Sequence, residues 1–414
     1  MTARSAYTLL AIFVATACSL GTVTTPSVSQ APAGDMLIAS DLPTAFEDPD
    51  VLRWAIQLAV AEHPRIGKFK LNYWSLNDAL AGTVSQARGV QNVRQMIANP
   101  RVLGMVGPYT SNVAFVEIPV ANAAQLVMLS PSNTDLCITI AAAYCDHQPS
   151  SLRPTGTNNY FRIAPPEPTQ GTAMARYVAG LGVRRVAAFS EWPKVGSLVV
   201  DKFEAELGQQ GGELVLRQDF AEGSTDFVNF LTRARAAGAQ AIYAVADGGT
   251  ARVCAARAQM KRIFTDSVYF ISNDGLTGDT DCIADAGDNS EGMLGTLSDV
   301  DPTFGTDATV SKFVSAYQRA YPKIKTIPGS VFAAYDCARI LIAAITRAVE
   351  ADGGSFPTRA QVRDELARTK FDGVTGSYSF NGAGDATSPL MSLWEVKKGK
   401  WVFRQQLDAS AVGS

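Results

Sequence analysis

VLGMVGPYTSNVAFVEIPVANAAQLVMLSPSNT, residues 102–134, is the stretch on which the fold turns. Two short apolar runs, Val102–Val106 and residues 126–129, each stop in a cluster of Gly, Pro, Ser, Thr and Asn, with a helix-like segment of small and apolar residues between them. Short apolar runs bounded by turn residues read as buried strands, and strand–turn–helix–strand is the unit from which parallel sheets are built. Open α/β sheets bind ligands outside the carboxyl ends of their strands. Those ends carry Ser111 and Thr134, whose hydroxyls, beside free backbone N–H groups, suit a carboxylate. Both residues are equally at home as ordinary helix N-caps.

Outward from this unit, strand and helix signals alternate from residue 36 to about 297, broken only by an irregular polar segment at 135–158. Such alternation predicts two doubly wound α/β units, each with its own parallel sheet. The chain has 414 residues, too many for a single compact core. Beyond residue 330 come helical signals at 331–351 and 358–368, then strand-like runs at 377–380 and 391–396. These are too few for a third domain, so the chain is expected to cross back. The expected division is 35–160 plus 299–370 in one lobe and 161–298 plus 371–405 in the other. Repeated crossings make a hinge, with a ligand cleft between the lobes.

Composition removes whole classes of function. Apolar residues make up 47% and charged residues 18%, as in a well-packed globular protein, and the formal charge of -3 offers no footprint for nucleic acid. His63 and His147 are the only histidines and lie far apart, so histidine-based metal sites and Ser/His or Cys/His catalysis lack material. There is no G-x-S-x-G, no GxxxxGK[ST], and no G-x-G-x-x-G after the first strand. No catalytic residue, cofactor or metal is expected. An exported α/β enzyme using Asp41, Asp247 and Asp274 is the disfavoured alternative.

The first 18 residues read as a secretory signal: Arg4, an apolar run from Tyr7 to Ala17, then Cys18. Ala15-Thr16-Ala17-Cys18 is similar to a lipobox, in which Cys18 carries the lipid; an ordinary small-x-small cleavage site is the other reading. Residues 19–34 would be a flexible tether, and no later stretch is expected to cross a membrane. The protein is therefore expected outside the cytoplasm, periplasmic or anchored to the outer face of the membrane. Export permits disulfides. Cys137 with Cys145 and Cys254 with Cys282 are the expected pairs, leaving Cys337 over, though spacing alone does not establish pairing.

VGPYTSNVA followed by LSPSNT resembles the bacterial type I periplasmic solute-binding proteins, in the leucine/isoleucine/valine-binding branch. The likeness continues through YFRIAPPEPTQGTAMARY, RRVAAFSEW, TDFVNFLTRARAAGAQAIY, VYFISNDGL, EGMLGT and AAYDCARIL to FDGVTGSYSFNGAGD, in family order over nearly the whole mature chain. The resemblance implies two Rossmann-like lobes joined by three crossovers, closing on a small molecule that is handed to an ABC transporter permease. It implies that Ser111, Ser132 and Thr134 hold the ligand's α-carboxylate, at a helix N-terminus whose dipole favours an anion. It also implies that Asp274, in SNDG, receives the α-amino group; its other reading is an Asp-Gly turn. Three departures bear on specificity. Val195 stands where an aromatic commonly covers the ligand, with Trp192 nearby as a substitute. Asp247 stands at another often aromatic position, either as an extra cleft acid or as a cap for the following helix. Asp41-Leu42-Pro43-Thr44 replaces a glycine-rich opening. The expected ligand is an amino acid or a related carboxylate or amine. A ligand-sensing module of the same fold, feeding a receptor, is the other non-catalytic reading.

Overall fold

Five of the six strands in the first sheet are parallel. The order is Arg65–Ile66, Phe69–Leu76, Met36–Asp41, Val102–Val106, Val127–Ser130, Tyr160–Arg162, with only the first strand antiparallel to its neighbour. The computed structural model describes residues 31–33, 35–43, 50–192, 195–247, 252–265, 267–304, 307–387, 390–408 and 410. MLIASD, VLGMV and VMLS are buried along their whole length, as parallel strands covered by helices on both faces must be. The helix Ser111–Ala123 follows the strand Val102–Val106, so the opening stretch folds as a strand–helix–strand unit.

The second sheet runs Glu213–Asp219, Arg185–Ser190, Ala241–Val245, Tyr269–Ser272, Leu294–Leu297, Leu390–Lys397, Lys400–Asp408; its first five strands are parallel and the last two antiparallel. In each sheet the order reverses beside the strand that opens the lobe. The reversals lie between Met36–Asp41 and Val102–Val106, and between Arg185–Ser190 and Ala241–Val245. A crevice opens outside the carboxyl ends at such a switch point, because the connections leave in opposite directions.

Three crossovers join the lobes, and they meet: one cavity is lined by Ile163 and Ala164 from the first, Ser298 and Asp299 from the second, and Thr375 and Leu390 from either side of the third. The crossing points differ from those expected. Tyr160–Arg162 pairs in the first sheet, so the chain leaves the first lobe after residue 162. Val374, Tyr378 and Ala386 pack in the core around the helix Gly329–Ala351, not in the second lobe. Asp336 of that helix secures this return segment by accepting from Val374 N and Thr375 N at 2.9 and 2.8 Å.

Gly329–Ala351 also meets the length and apolarity of a membrane span, which the sequence reading denied to any stretch after the N-terminal segment. Its apolar residues, from Val331 to Val349, instead fill the first lobe's core. The expected signal segment, Cys18 and most of the tether lie outside the described residues.

Cys137 is joined to Cys145 across the irregular segment, and Cys254 to Cys282 between a helix start and the following helix; Cys337 is free and buried. The second bond closes 28 residues, so replacing both its cysteines by serine is expected to cost about 3–4 kcal/mol. Denaturant unfolding would register this as a lower midpoint; an unchanged midpoint would show that the bond contributes nothing.

Candidate functional site

Backbone approach sets the positions of the two carboxyl edges. Gly107 has φ 120°, and a Cβ there would fall 2.5 Å from Asp41 O, so only glycine lets the end of Val102–Val106 close on the end of Met36–Asp41. In the second lobe a Cβ on Gly275 would fall 2.0 Å from Ala246 O. Asn273 completes that junction, accepting from Ala246 N and donating to Ala246 O. Asp274 and Asp247 therefore stand side by side at adjacent strand ends.

Ser111 is the first residue of its helix; Thr110 is the N-cap and makes no side-chain cap bond. The Ser111 hydroxyl oxygen accepts from Asp135 N at 3.3 Å, which leaves its proton free to donate. Backbone bonding within the turn begins at Val113 N, so the first amides of the helix have no helical acceptor. Thr134 is not a cap either. The short helix Leu136–Ile138 is capped by Asp135, which accepts from Cys137 N. Ser132 departs from expectation: its hydroxyl donates to Tyr109 O at 2.6 Å, tying the two turns together and removing its donor from a ligand.

The Thr134 hydroxyl is engaged by a residue the sequence reading passed over. It donates to Glu167 Oε1 at 2.9 Å, Leu136 N donates to Glu167 Oε2 at 3.2 Å, and Glu167 N donates to Thr134 O. Glu167 ends the first crossover and precedes the helix Pro168–Gly180. Burial pushes its carboxyl up to about 8, with Asp135 and Asp274 adding to the rise. The turn is held from behind by Arg162, fully buried, which donates to Asn133 O, Asp135 O, the Thr139 hydroxyl and Asp385.

Across from the turn, Asp274 is half-buried, with Gln170 Oε1 accepting from its backbone N–H at 2.9 Å. Burial raises its carboxyl above the ordinary range, the Gln170 side chain pulls it down and Asp247 raises it further. Asp299, on the second crossover, is pushed up to about 6 by burial and by Asp274, and the Tyr109 phenol is raised by burial and then by Asp299. Among the described residues neither Asp274 nor Asp299 has an ion-pair partner. Asp247 is exposed, its carboxyl raised by partial burial and by Glu222. The next described helix, Ala255–Ile263, has Cys254 as its N-cap, and residues 248–251 after Asp247 lie outside the described residues. Trp192 sits at the lobe's switch point, its backbone N–H donating to Ser190 Oγ at 3.0 Å and its side chain partly buried against the second lobe's core. Val195 opens the helix Val195–Gln209.

The structure thus gathers Thr134, Glu167, Asp274, Asp299 and Tyr109 within mutual influence, holds Ser111 beside them through Asp135, and sets Asp247 and Trp192 along the second lobe's rim. A further acid group lies below the first lobe's rim. Asp41, Asp78 and Glu117 are fully buried, and Asn92 Nδ2 donates to Asp41 Oδ1 at 2.8 Å. Asp41 is among the acids the sequence points to; its partner Glu117 is signalled there only as a lone Glu within SNVAFVEIPVANA.

Two doubly wound lobes joined by three crossovers, with anion donors at one carboxyl edge and acids at the other, define a two-lobed solute-binding protein. The model of the family described as "Periplasmic binding protein" matches residues 52–400, and the chain belongs to that family. It is similar to a Leu/Ile/Val-binding protein homolog 3 of Brucella melitensis, 24% identical over 321 residues, which are 76% of this chain and 78% of the relative. Among solved structures it resembles a leucine-binding protein of Thermotoga maritima, with TM-score 0.64, 24% identity, 90% of this chain and 98% of that one covered. It also resembles an ABC transporter substrate-binding protein of Desulfitobacterium hafniense in complex with Leu, with TM-score 0.70, 21% identity, and 89% and 99% covered. These structural likenesses establish the fold.

Proposed function

We propose that this protein works outside the cytoplasm, captures an amino acid or a closely related carboxylate/amine between its lobes, and delivers it to the permease of an ABC transporter. The observation that carries the reading is the charge arrangement. Ser111 and the free amides of its helix offer donors to an anion, while Asp274 and Asp299 lie near enough for Asp274 to raise Asp299 and have no ion-pair partner among the described residues. An α-amino acid supplies both missing charges, and an ammonium beside two desolvated carboxylates gains most once closure excludes water. Binding proteins for leucine among the relatives support the class. Asp247, in place of an aromatic, speaks against assuming a branched-chain side chain. Ligand contacts completed only on closure favour the closed form, which a permease reads.

A thermal-shift screen of the mature protein against the standard amino acids, their amides, polyamines and small carboxylates tests this, since a ligand raises the melting temperature by mass action. An α-amino acid is expected to score. Asp274→Asn should then weaken it on the order of 30-fold, about 2 kcal/mol, and Ser111→Ala about tenfold. Undiminished affinity in both variants would remove the site from this location.

A further inference from the structure

The lobe-1 turn already holds a carboxyl group, and it belongs to the chain. Glu167 takes the Thr134 hydroxyl at 2.9 Å and the Leu136 amide at 3.2 Å, while its own N–H donates to Thr134 O at 2.9 Å. The side chain is 7% exposed, so this is a built contact. It sits on the first crossover, where it touches the first lobe's turn from the start of the second lobe's first helix.

We propose that Glu167 is the specificity-determining gate of this site: by occupying the Thr134 hydroxyl and the Leu136 amide with the chain's own carboxyl, it confines a ligand carboxylate to the Ser111 hydroxyl and the N-terminal amides of the helix Ser111–Ala123. The inference rests on the amino-acid reading above and adds a constraint to it. A ligand carboxylate seated at Ser111 lies next to Glu167, and two adjacent carboxylates tolerate each other only while one keeps its proton. The groups facing Glu167 are Asp135 from the turn, Tyr144 from the irregular segment, Arg162 from the last strand of the first sheet and Asp274 from the second lobe. Burial and the two aspartates outweigh the Thr134 hydrogen bond and Arg162 and hold the carboxyl up to about 8, so at pH 7 it keeps its proton, one oxygen accepting from the Leu136 amide and the other sharing that proton in the contact with the Thr134 hydroxyl. Once ionised it repels the ligand.

The test uses the full mature protein and whichever standard L-amino acid raises its melting temperature most. Without ligand, wild-type stability should fall between pH 6 and pH 9 more steeply than that of Glu167→Gln, whose amide keeps the shape and cannot ionise. With ligand, wild-type affinity should fall about fourfold between pH 6.5 and pH 8.5 while Glu167→Gln changes less than about twofold. Glu167→Ala should free the Thr134 and Leu136 donors. Ser111→Ala would then cost about tenfold in the wild type and clearly less in the Glu167→Ala background. Equal costs of Ser111→Ala in both backgrounds, or matching pH profiles for wild type and Glu167→Gln, overturn the gate while leaving amino-acid binding intact. Failure of every amino acid to bind overturns the amino-acid reading and the gate with it.

Discussion

Replacing Arg162 by Met is expected to destabilise the protein by about 3–5 kcal/mol and to abolish ligand binding even where folded protein is recovered. Arg162 is fully buried, and its guanidinium joins three pieces of chain that are distant in sequence. It donates to Asn133 O at 3.2 Å and Asp135 O at 2.7 Å, fixing the SPSNT turn, and to the Thr139 hydroxyl at 2.6 Å, fixing the start of the disulfide-bonded segment. It pairs with Asp385 at 2.7 Å, holding the third crossover. Methionine fills part of the volume but leaves Asp385 buried without a partner and three acceptors unpaired, which is where the cost arises. Adding Asp385→Asn to the Arg162→Met variant should recover part of the stability, because the uncompensated charge is gone, without restoring binding, because the turn is still loose. Denaturant midpoints of the two single variants and the double variant would decide it. A loss under about 1 kcal/mol for Arg162→Met would show that the network is not holding the hinge.

The second large effect is on the pH dependence of stability. Asp41 is pushed up to about 7 by burial, with Asp78 adding to the rise, while hydrogen bonds to Glu117 and Asn92, and the Arg88 charge, pull the other way. Glu117 is raised well above its usual range by burial and then by Asp41, and Asp78 is held near 6 by burial. In the folded molecule these groups keep protons that the unfolded chain releases near pH 4, so their stabilisation is complete below the unfolded value and is lost as pH rises through the folded one. A carboxyl moved from 3.8 to about 7 lowers stability at pH 8 by on the order of 4 kcal/mol relative to pH 4. The protein should therefore unfold at lower denaturant at pH 8 than at pH 5. Glu117→Gln, whose amide can donate to Asp41, should flatten the profile and stabilise the protein at pH 8 by about 1–3 kcal/mol. The cluster has no place in the proposed model if Glu117→Gln leaves the slope unchanged.

How far the sequence carried the fold follows from periodicity. Val102–Val106 and Ala241–Val245 are continuous apolar runs between turn residues, and such runs announce a buried parallel strand with little ambiguity. The lobe boundaries were less legible because crossovers have no period. Tyr160–Arg162 is three residues long and contains an arginine, which gives no sign that it closes the first sheet. Val374 and Tyr378 look like the start of the next strand run, yet they pack on the first lobe because Asp336, far away in sequence, binds the backbone beside them.

The site shows the same division. Ser111, Thr134 and Asp274 lie at strand ends and could be found by counting from the strands. Ser132, of the same residue type and in the same turn, turns its hydroxyl to Tyr109 O, and no sequence pattern reports the direction of a hydroxyl. Glu167 and Asp299 lie on crossovers and gain their meaning from neighbours in the other lobe. In sequence Glu167 is only a carboxylate before a proline at a helix start. Glu117 was the more accessible miss, a charge inside an apolar helix, which burial makes costly unless a partner or a proton accompanies it.

The central claim is that one ligand is held at both ends, its carboxylate by Ser111 and its ammonium by Asp274. Titration calorimetry at pH 7 with the best amino acid from the screen, its deaminated acid and its methyl ester tests this most directly. The amino acid is expected to bind, and each analogue to bind on the order of 30-fold more weakly or not at all, because each leaves one desolvated charge or donor set without its partner. A deaminated acid that binds as tightly as the amino acid would contradict the account.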